Sequence, residues 1–288
     1  MRVARSVQEL GRRERAVAIG TFDGVHVGHQ RALQAAVDSG LVATVVTFHP
    51  HPRTALGNRV ELLTTLERRL ELIAGAGIED TLVLEFTLDL AALEPEEFAE
   101  RALWAIGTRV IVAGENFRFG RARRGDLGLL RDEGFDVRPV PLVEGVSSSH
   151  LRKLLKAGEV DRAAPLLGRP AEVEGTVVTG DARGGTLGFP TANLSVEPEL
   201  LVPANGIYAG AAREHRAAVS IGTNPHYGGE ELRVEAFLLD FEGDLYGRRL
   251  VLELWRRLRD ERAFSNEPEL VDQIARDVEA TRAADRPV

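Results

Sequence analysis

The chain of 288 residues has no cysteine and a single methionine, and Lys153 and Lys156 are the only lysines among its 36 basic residues. The missing thiol excludes disulfides, thiolate zinc sites, iron–sulfur clusters and a cysteine nucleophile. No stretch approaches the ~18 consecutive apolar residues of a membrane span. The opening segment MRVARSVQELGRRERAV is charged and lacks both an apolar run and a small-residue cleavage site, so a secretory signal is not expected and a cytoplasmic location is. Positive charge is in short supply: 36 Lys and Arg face 44 Asp and Glu, for a net charge of -8. A dedicated nucleic-acid binder usually carries a basic face, so neither nucleic acid nor membrane is expected as a partner. Local basic clefts for small anions stay compatible with this balance, and so does an oligomer.

What is present suits packed cores. Hydrophobic residues make up 44% of the chain, and at ~100–200 residues per domain the length implies two domains. The first half alternates strand-like and helix-like segments: Ala16–Thr21, then Val27–Val37 at helical spacing, then the β-branched run Leu41–Phe48. Thr64-x-x-Glu67 before LERRLELIAGAG reads as a capping box, with Gly75 and Gly77 as stop signals. Thr81–Phe86 follows as a strand, Pro95 opens the helix EPEEFAERALWAIG, and Val110–Gly114 and Phe135–Val140 complete the series. Such alternation implies a parallel sheet with helices on both faces, a Rossmann-like α/β domain binding ligands at the carboxyl ends of its strands. From Val173 the pattern changes to short β-rich runs (EGTVV, GIYAGAA, AAVSIG, RVEAFLLD, RLVLELW) separated by turn residues, with Phe241–Asp244 as a hairpin turn. This reads as a small antiparallel barrel. An amphipathic helix, Glu267–Arg282, should pack on it through Leu270, Ile274 and Val278, and the tail AADRPV should fray. The domains expected are 1–168 and 169–288.

Three groups of residues can carry chemistry. Gly20-Thr21-Phe22-Asp23-Gly24-Val25-His26-Val27-Gly28-His29 lies where the first strand of the alternating series gives way to a helix. Free N–H groups and the positive dipole end make that junction an anion site. His26 and His29, three residues apart, lie on one side of the helix and can reach one triphosphate, and Gly28 leaves room between them. Read alone, the same residues are a turn with two surface histidines. In the second group, Gly180-Asp181-Ala182-Arg183-Gly184-Gly185-Thr186-Leu187-Gly188-Phe189-Pro190-Thr191-Ala192-Asn193, a glycine loop can wrap phosphates. The Thr191 hydroxyl and Asn193 amide oxygen are hard ligands suited to Mg²⁺ on ATP. The plain alternative is a barrel turn. The third is Glu235, in a strand and a candidate base for a sugar-like hydroxyl; an isolated strand glutamate is otherwise simply solvent-exposed.

At this point the chain resembles the nucleotidylyltransferase superfamily with its H-x-G-H signature. Thr47-Phe48-His49-Pro50-His51-Pro52, Gly114-Glu115-Asn116-Phe117-Arg118-Phe119-Gly120 and Val146-Ser147-Ser148-Ser149-His150-Leu151-Arg152 follow in order. Together with Gly188-Phe189-Pro190-Thr191-Ala192-Asn193 they resemble the prokaryotic bifunctional riboflavin kinase/FAD synthetase family over residues 15 to 282. The resemblance implies phosphorylation of riboflavin to FMN in the barrel and adenylylation of FMN to FAD in the first domain, with ATP and Mg²⁺ as substrate complex. It implies Glu235, His26, His29 and Arg152 as catalytic residues. ATP and phosphate contacts would come from Gly20, Phe22, Asp23, Gly28, Ser147, Ser148, Gly180, Gly184, Gly188 and Thr191. Flavin contacts would come from Asn116, Arg118 and Arg123, and metal contacts from Thr191 and Asn193. His49 and His51 can line the same cleft, though their prolines suggest a structural turn. The chain departs from the family's pattern at Ser149 (often Thr), Gly185 (usually Arg) and Ala263 (usually basic). A single-activity enzyme with one decayed site, and a flavin carrier without turnover, stay open as readings.

Overall fold

The computed structural model describes residues 1–180, 189–224 and 231–287. Packing divides the chain into two compact units, Met1–Ser148 and Ser149–Val288. The first contains β1 (Arg2–Ala4), α1 (Val7–Leu10), β2 (Arg15–Ile19), α2 (Val27–Val37), β3 (Val42–His49), α3 (Pro52–Ala55), α4 (Leu66–Gly75), β4 (Asp80–Glu85), α5 (Leu88–Ala92), α6 (Pro95–Phe98), β5 (Thr108–Gly114), α7 (Leu127–Asp132) and β6 (Asp136–Val140). Its last residue opens α8 (Ser148–Lys156).

The six strands form one sheet in the order β1-β4-β3-β2-β5-β6, with every pairing parallel. The central strands read as continuous apolar runs because both of their faces are covered. Val17, Ile19 and Val46 enter one core with Phe98, Leu103 and Leu130, whereas Ala16, Ala18 and Val45 enter another with Leu33 and Ala36 of α2 and Ile73 of α4. Helices therefore lie on both faces, as expected. Pro95 does sit at the first turn of α6, but the helix continues as a π-helical segment, Ala99–Trp104. At the amino end of the sheet, one strand apart each, Arg15, Thr44 and Asp80 meet. Arg15 Nη1 donates to Asp80 Oδ2 at 2.5 Å and to Thr44 Oγ1 at 3.0 Å, and its Nε donates to Ile106 O at 3.0 Å.

The second unit contains α9 (Val160–Leu167), β7 (Ala171–Val178), β8 (Ala192–Ser195), β9 (Gly206–Ala212), β10 (His215–Asn224), β11 (Glu231–Leu238), β12 (Arg249–Arg259) and α10 (Glu267–Ala283). The strands close into an antiparallel barrel, β10-β11-β8-β7-β12-β9. Three details correct the sequence reading. The short strand β8 has a polar, turn-like composition and escapes a search for apolar runs. Phe241–Asp244 is not a hairpin turn, because β11 pairs with β8 and β10 whereas β12 pairs with β7 and β9. The tail is held rather than frayed: Ala284 is buried, its carbonyl accepts from Arg216 Nη1, and Arg286 grips Glu253 through two bonds of 2.8 and 2.7 Å. Helix α10 is tied to the barrel end by Arg259, whose Nη2 donates to Asp277 Oδ2 at 2.7 Å.

The Arg15–Asp80 pair yields a stability prediction. Asp80→Ala strands a fully buried guanidinium and should cost about 3–5 kcal/mol, whereas the double variant Arg15→Met/Asp80→Leu should recover most of that loss. Urea unfolding followed through Trp104, in a Trp255→Phe background, reads both values.

Candidate active sites

Strand order in the parallel sheet reverses at β2, with β3 and β4 on one side and β5 and β6 on the other. In open α/β sheets the crevice beyond the carboxyl ends at such a reversal is where ligands bind. The segments leaving β2, β3 and β5 at this edge carry the Gly20–His29, His49–Pro52 and Gly114–Gly120 motifs, and the segment after β6 leads to Ser147 and Ser148.

The turn between β2 and α2 is conformationally costly. Phe22, Gly24 and Val25 have φ of 52°, 85° and 39°, and non-glycine residues there cost of order ~1–3 kcal/mol each. The segment before α4 holds them. Asp23 is fully buried, and its Oδ1 accepts from Leu63 N at 2.9 Å and Thr64 N at 3.3 Å. Gly24 N donates to Thr64 Oγ1 at 3.2 Å, and a methyl group at Gly24 would stand 2.7 Å from Leu63 Cδ1. Thr64 thus braces the turn, and the helix cap expected of it is made by Thr65, which accepts from Arg68 N at 3.1 Å.

His26 is the N-cap of α2, its Nδ1 accepting from His29 N at 3.2 Å. The two imidazoles stack with centroids 3.6 Å apart and planes 11° from parallel. Gly28 allows this, since a methyl group there would lie 3.2 Å from the His26 ring. His29 Nδ1 is buried without a hydrogen-bond partner. Burial first, then His26 and Arg69, hold the His29 imidazole well below its ordinary range, so it is neutral near pH 7. Ser148 Oγ donates to Asp23 O at 3.0 Å, joining the start of α8 to the same turn. Ser147 is exposed just before that helix, and Arg152 sits one turn into it.

The predicted flavin residues follow β5. Asn116 is exposed, its amide folded over Gly114, where a methyl group would stand 3.3 Å from Asn116 Oδ1. Arg118 pairs with Asp126 at 3.0 Å. Asp126 caps α7, and the N–H of Leu129 first, with that of Gly128 and the Arg118 charge, holds its carboxyl below the usual range. Arg123 is exposed at φ 60°. His51 caps α3 by accepting from Arg53 N at 3.2 Å, which gives that His-Pro turn a structural role.

In the barrel, burial alternates along β11: Val234, Ala236 and Leu238 are buried, and Glu235 and Phe237 occupy the other face. Glu235 stands opposite Asn193 on β8 and Ser220 on β10. Thr191 Oγ1 donates to Glu235 Oε2 at 3.4 Å, and Phe189 meets Phe237 edge-on at 5.4 Å. The Asn193 amide occupies the space where a methyl group at Gly180 would be, so a larger residue there would displace it. The structure therefore brings Gly180, Thr191, Asn193 and Glu235 together. Gly184 and Gly188, with the neighbouring Arg183 and Gly185, lie outside the described residues. One carboxylate was missed from sequence: Glu261 lies where a side chain at Gly222 would collide with it. Burial raises its pKa; Arg259 opposes this and Glu235 adds to it. No periodic signal marks Glu261, because barrel closure alone brings residues 222, 235 and 261 to one face.

A parallel sheet with H-x-G-H at its switch point, joined to a barrel presenting Thr, Asn and Glu on one wall, defines a two-unit protein of phosphate chemistry. Residues 9–149 match the FAD synthetase family and residues 167–284 the riboflavin kinase family. The bifunctional riboflavin kinase/FMN adenylyltransferase of Listeria monocytogenes is 35% identical over 93% of this chain and 92% of its own. That of Escherichia coli K12 is 34% identical over 96% of each. The chain belongs to the bifunctional riboflavin kinase/FMN adenylyltransferase family. A solved structure described as a macrolide-efflux protein from Streptococcus pneumoniae superposes with a TM-score of 0.89 at 32% identity, covering 98% of this chain and 99% of that one. Among the described residues of this chain, no helix is long and apolar enough to cross a membrane.

The brace on the turn is testable. Gly24→Ala combines a positive φ with a collision against Leu63 and should destabilise the first unit by about 1–3 kcal/mol, measured as a lowered urea midpoint.

Proposed function

We propose a division of labour for the two reactions of this family: residues 169–288 phosphorylate riboflavin with ATP, and residues 1–168 adenylylate the FMN so formed. The carrying observation is that each unit presents its own set of phosphate-handling groups.

In the kinase reaction the riboflavin hydroxyl oxygen attacks the γ-phosphorus of ATP, the β,γ bond breaks, and FMN and ADP leave. Glu235 takes the hydroxyl proton. It faces Asn193 across the β8–β11 pair and accepts from Thr191, so base and phosphate-side residues share one wall. Thr191 and Asn193 offer the hard oxygens that Mg²⁺ prefers, and Mg²⁺ takes its remaining ligands from phosphates and water. When bound, it supplies neutralisation of phosphate charge.

In the adenylylation reaction an FMN phosphate oxygen attacks the α-phosphorus of ATP, the α,β bond breaks, and pyrophosphate leaves. No covalent enzyme intermediate is required. The amino end of α2 presents N–H groups and the positive end of its dipole, and His26 and His29 add imidazole donors. Ser147 and Ser148 at the start of α8 contribute hydroxyls, and Arg152 one turn later contributes a fork for the developing charge. Gly20, Phe22 and Asp23 shape the turn against which the nucleotide lies. Asn116, Arg118 and Arg123 are assigned to contact with the flavin. Preorganised electrostatics of this kind dominates phosphoryl-type transfer. ATP and flavins are the partners this reading needs, and a cytoplasmic setting supplies them.

Incubation of the chain with riboflavin, ATP and Mg²⁺, with flavins separated over time, should give FMN and then FAD. FMN alone would select the single-activity reading, and no product the carrier. His29→Ala should lower FAD formation from FMN by about 10²-fold or more while riboflavin phosphorylation survives. Equal loss of both in a folded variant removes the two-site assignment. Glu235→Ala should lower FMN formation by about 10²–10⁴-fold and leave adenylylation intact. Gly180→Ala, which displaces the Asn193 amide, should act in the same direction as Glu235→Ala.

A further inference from the structure

Arg69, on α4, is fully buried and is among the largest fully buried side chains of the chain. Its Nη1 donates to Thr21 O at 3.0 Å and to Phe48 O at 3.3 Å. Phe48 is the penultimate residue of β3, and Thr21 lies just beyond β2, so one guanidinium ties the carboxyl ends of both central strands beneath the H-x-G-H turn. Its Nε and Nη2 are buried with no hydrogen-bond partner. Orphaned donors on a buried cation are costly, and an apolar side chain would fill the same space without that cost. The charge itself therefore calls for a use.

Its neighbours indicate one. Arg69 acts electrostatically on His29, and Asp23 acts on Arg69. His29 is faced by His26 from the start of α2, by Arg69 from α4 and by the ring of Phe22 at 5.2 Å. ATP brings concentrated negative charge against this stack, and negative charge draws protons onto imidazoles. Two protonated rings 3.6 Å apart would repel each other and break the stack. A permanent cation below the rings opposes that protonation.

We infer that Arg69 is a positioning residue of the adenylylation centre: it fastens the ends of β2 and β3 under the H-x-G-H turn and fixes a buried positive charge beside His29. The inference rests on the reading of that turn as the adenylylation site. On it, His29 meets phosphate as a neutral donor, and the long-range attraction comes from a cation that does not titrate.

The test uses the full chain with ¹³Cε1-labelled histidine, without substrate. The His29 resonance is assigned by its loss in His29→Ala, and NMR follows it over pH. In the wild type it should titrate well below the ordinary ~6.5. Removing a neighbouring positive charge favours imidazolium, so Arg69→Gln should raise the midpoint, with an increase in proton affinity of about tenfold. Arg69→Lys keeps the charge and should leave the midpoint in place while slowing adenylylation through loss of the two-strand clamp. The acid limb of the FMN adenylylation profile should move to higher pH in Arg69→Gln only, and riboflavin phosphorylation by the same chain should keep its profile. An unmoved midpoint in Arg69→Gln, or an equal shift in Arg69→Lys, overturns the inference. Should Arg69→Gln not fold, Arg69→Lys decides: slower adenylylation with an unmoved midpoint supports the role, and a moved midpoint defeats it. Because the NMR midpoint is read without substrate, failure of this coupling is distinct from failure of the site assignment, which would appear as unchanged adenylylation in His29→Ala.

Discussion

The first unit depends on one expensive turn. Between β2 and α2 the backbone must reverse over a few residues while leaving the amino end of α2 open. It does so by placing Phe22, Gly24 and Val25 at positive φ. Such a conformation persists only where its surroundings over-determine it. The surroundings are the residues just before and within α4: two N–H groups on the Asp23 carboxylate, a hydroxyl on Gly24 N, the Leu63 side chain under Gly24, and Arg69 on Thr21 O. The turn's shape is thus encoded some forty residues away. That arrangement explains why Asp23, buried and turned inward, can matter to a phosphate site without exposing its charge to an anion.

The barrel solves a different problem. Its interior is closed by Val219, Ile221, Val234, Ala236 and Leu252, all nearly fully buried. Chemistry must then sit on the outer wall, and the two-residue period of a strand sorts residues to that wall without further device. Glu235 and Phe237 fall there because Val234, Ala236 and Leu238 fall inside. Antiparallel register adds Asn193 and Ser220 directly opposite Glu235. Glycine at 180 and 222 then leaves room for the Asn193 amide and the Glu261 carboxylate. A groove of polar groups arises on a barrel whose own core holds none of them.

This contrast decides what could be read from sequence. The parallel sheet was legible because it depends on local order, a strand followed by a helix, whereas the H-x-G-H turn and the Thr191, Asn193 and Glu235 set were picked out by motif and by resemblance to a family. The brace was not. Thr64 has the composition of a helix cap, and nothing local says that its hydroxyl is spent on Gly24 while Thr65 does the capping. Arg69 reads as one more charged residue in an amphipathic helix, and Arg15 as the end of a charged segment, yet both are fully buried. Arg15 is buried by strand order, which places it beside Asp80 through Thr44, and Arg69 by the packing of α4 against the ends of β2 and β3. Glu261 and the short β8 were missed for the same reason, since barrel closure rather than period defines them. The held tail belongs here too: Arg286 looks like terminal polarity until Glu253 of β12 is placed beside it.

An acidic chain with anion sites is not a contradiction once charge is counted locally. Arg118 with Asp126, Arg121 and Arg124 with Glu94, Arg138 with Asp136, Arg282 with Asp240 and Arg286 with Glu253 all neutralise one another at the surface. Beyond a Debye length of about 8–10 Å little of this reaches a bound phosphate. What stands at the switch point is different in kind: the amino end of α2, two stacked imidazoles of which His29 is held neutral, and a guanidinium enclosed beneath them. These groups are fixed by backbone and packing, so they point where charge develops rather than wherever an anion happens to lie. Mobile surface arginines would bind ground state and transition state alike, whereas oriented dipoles can favour the latter. On the proposed reading, the conformational cost of the β2–α2 turn and the orphaned donors of Arg69 are the source of that orientation.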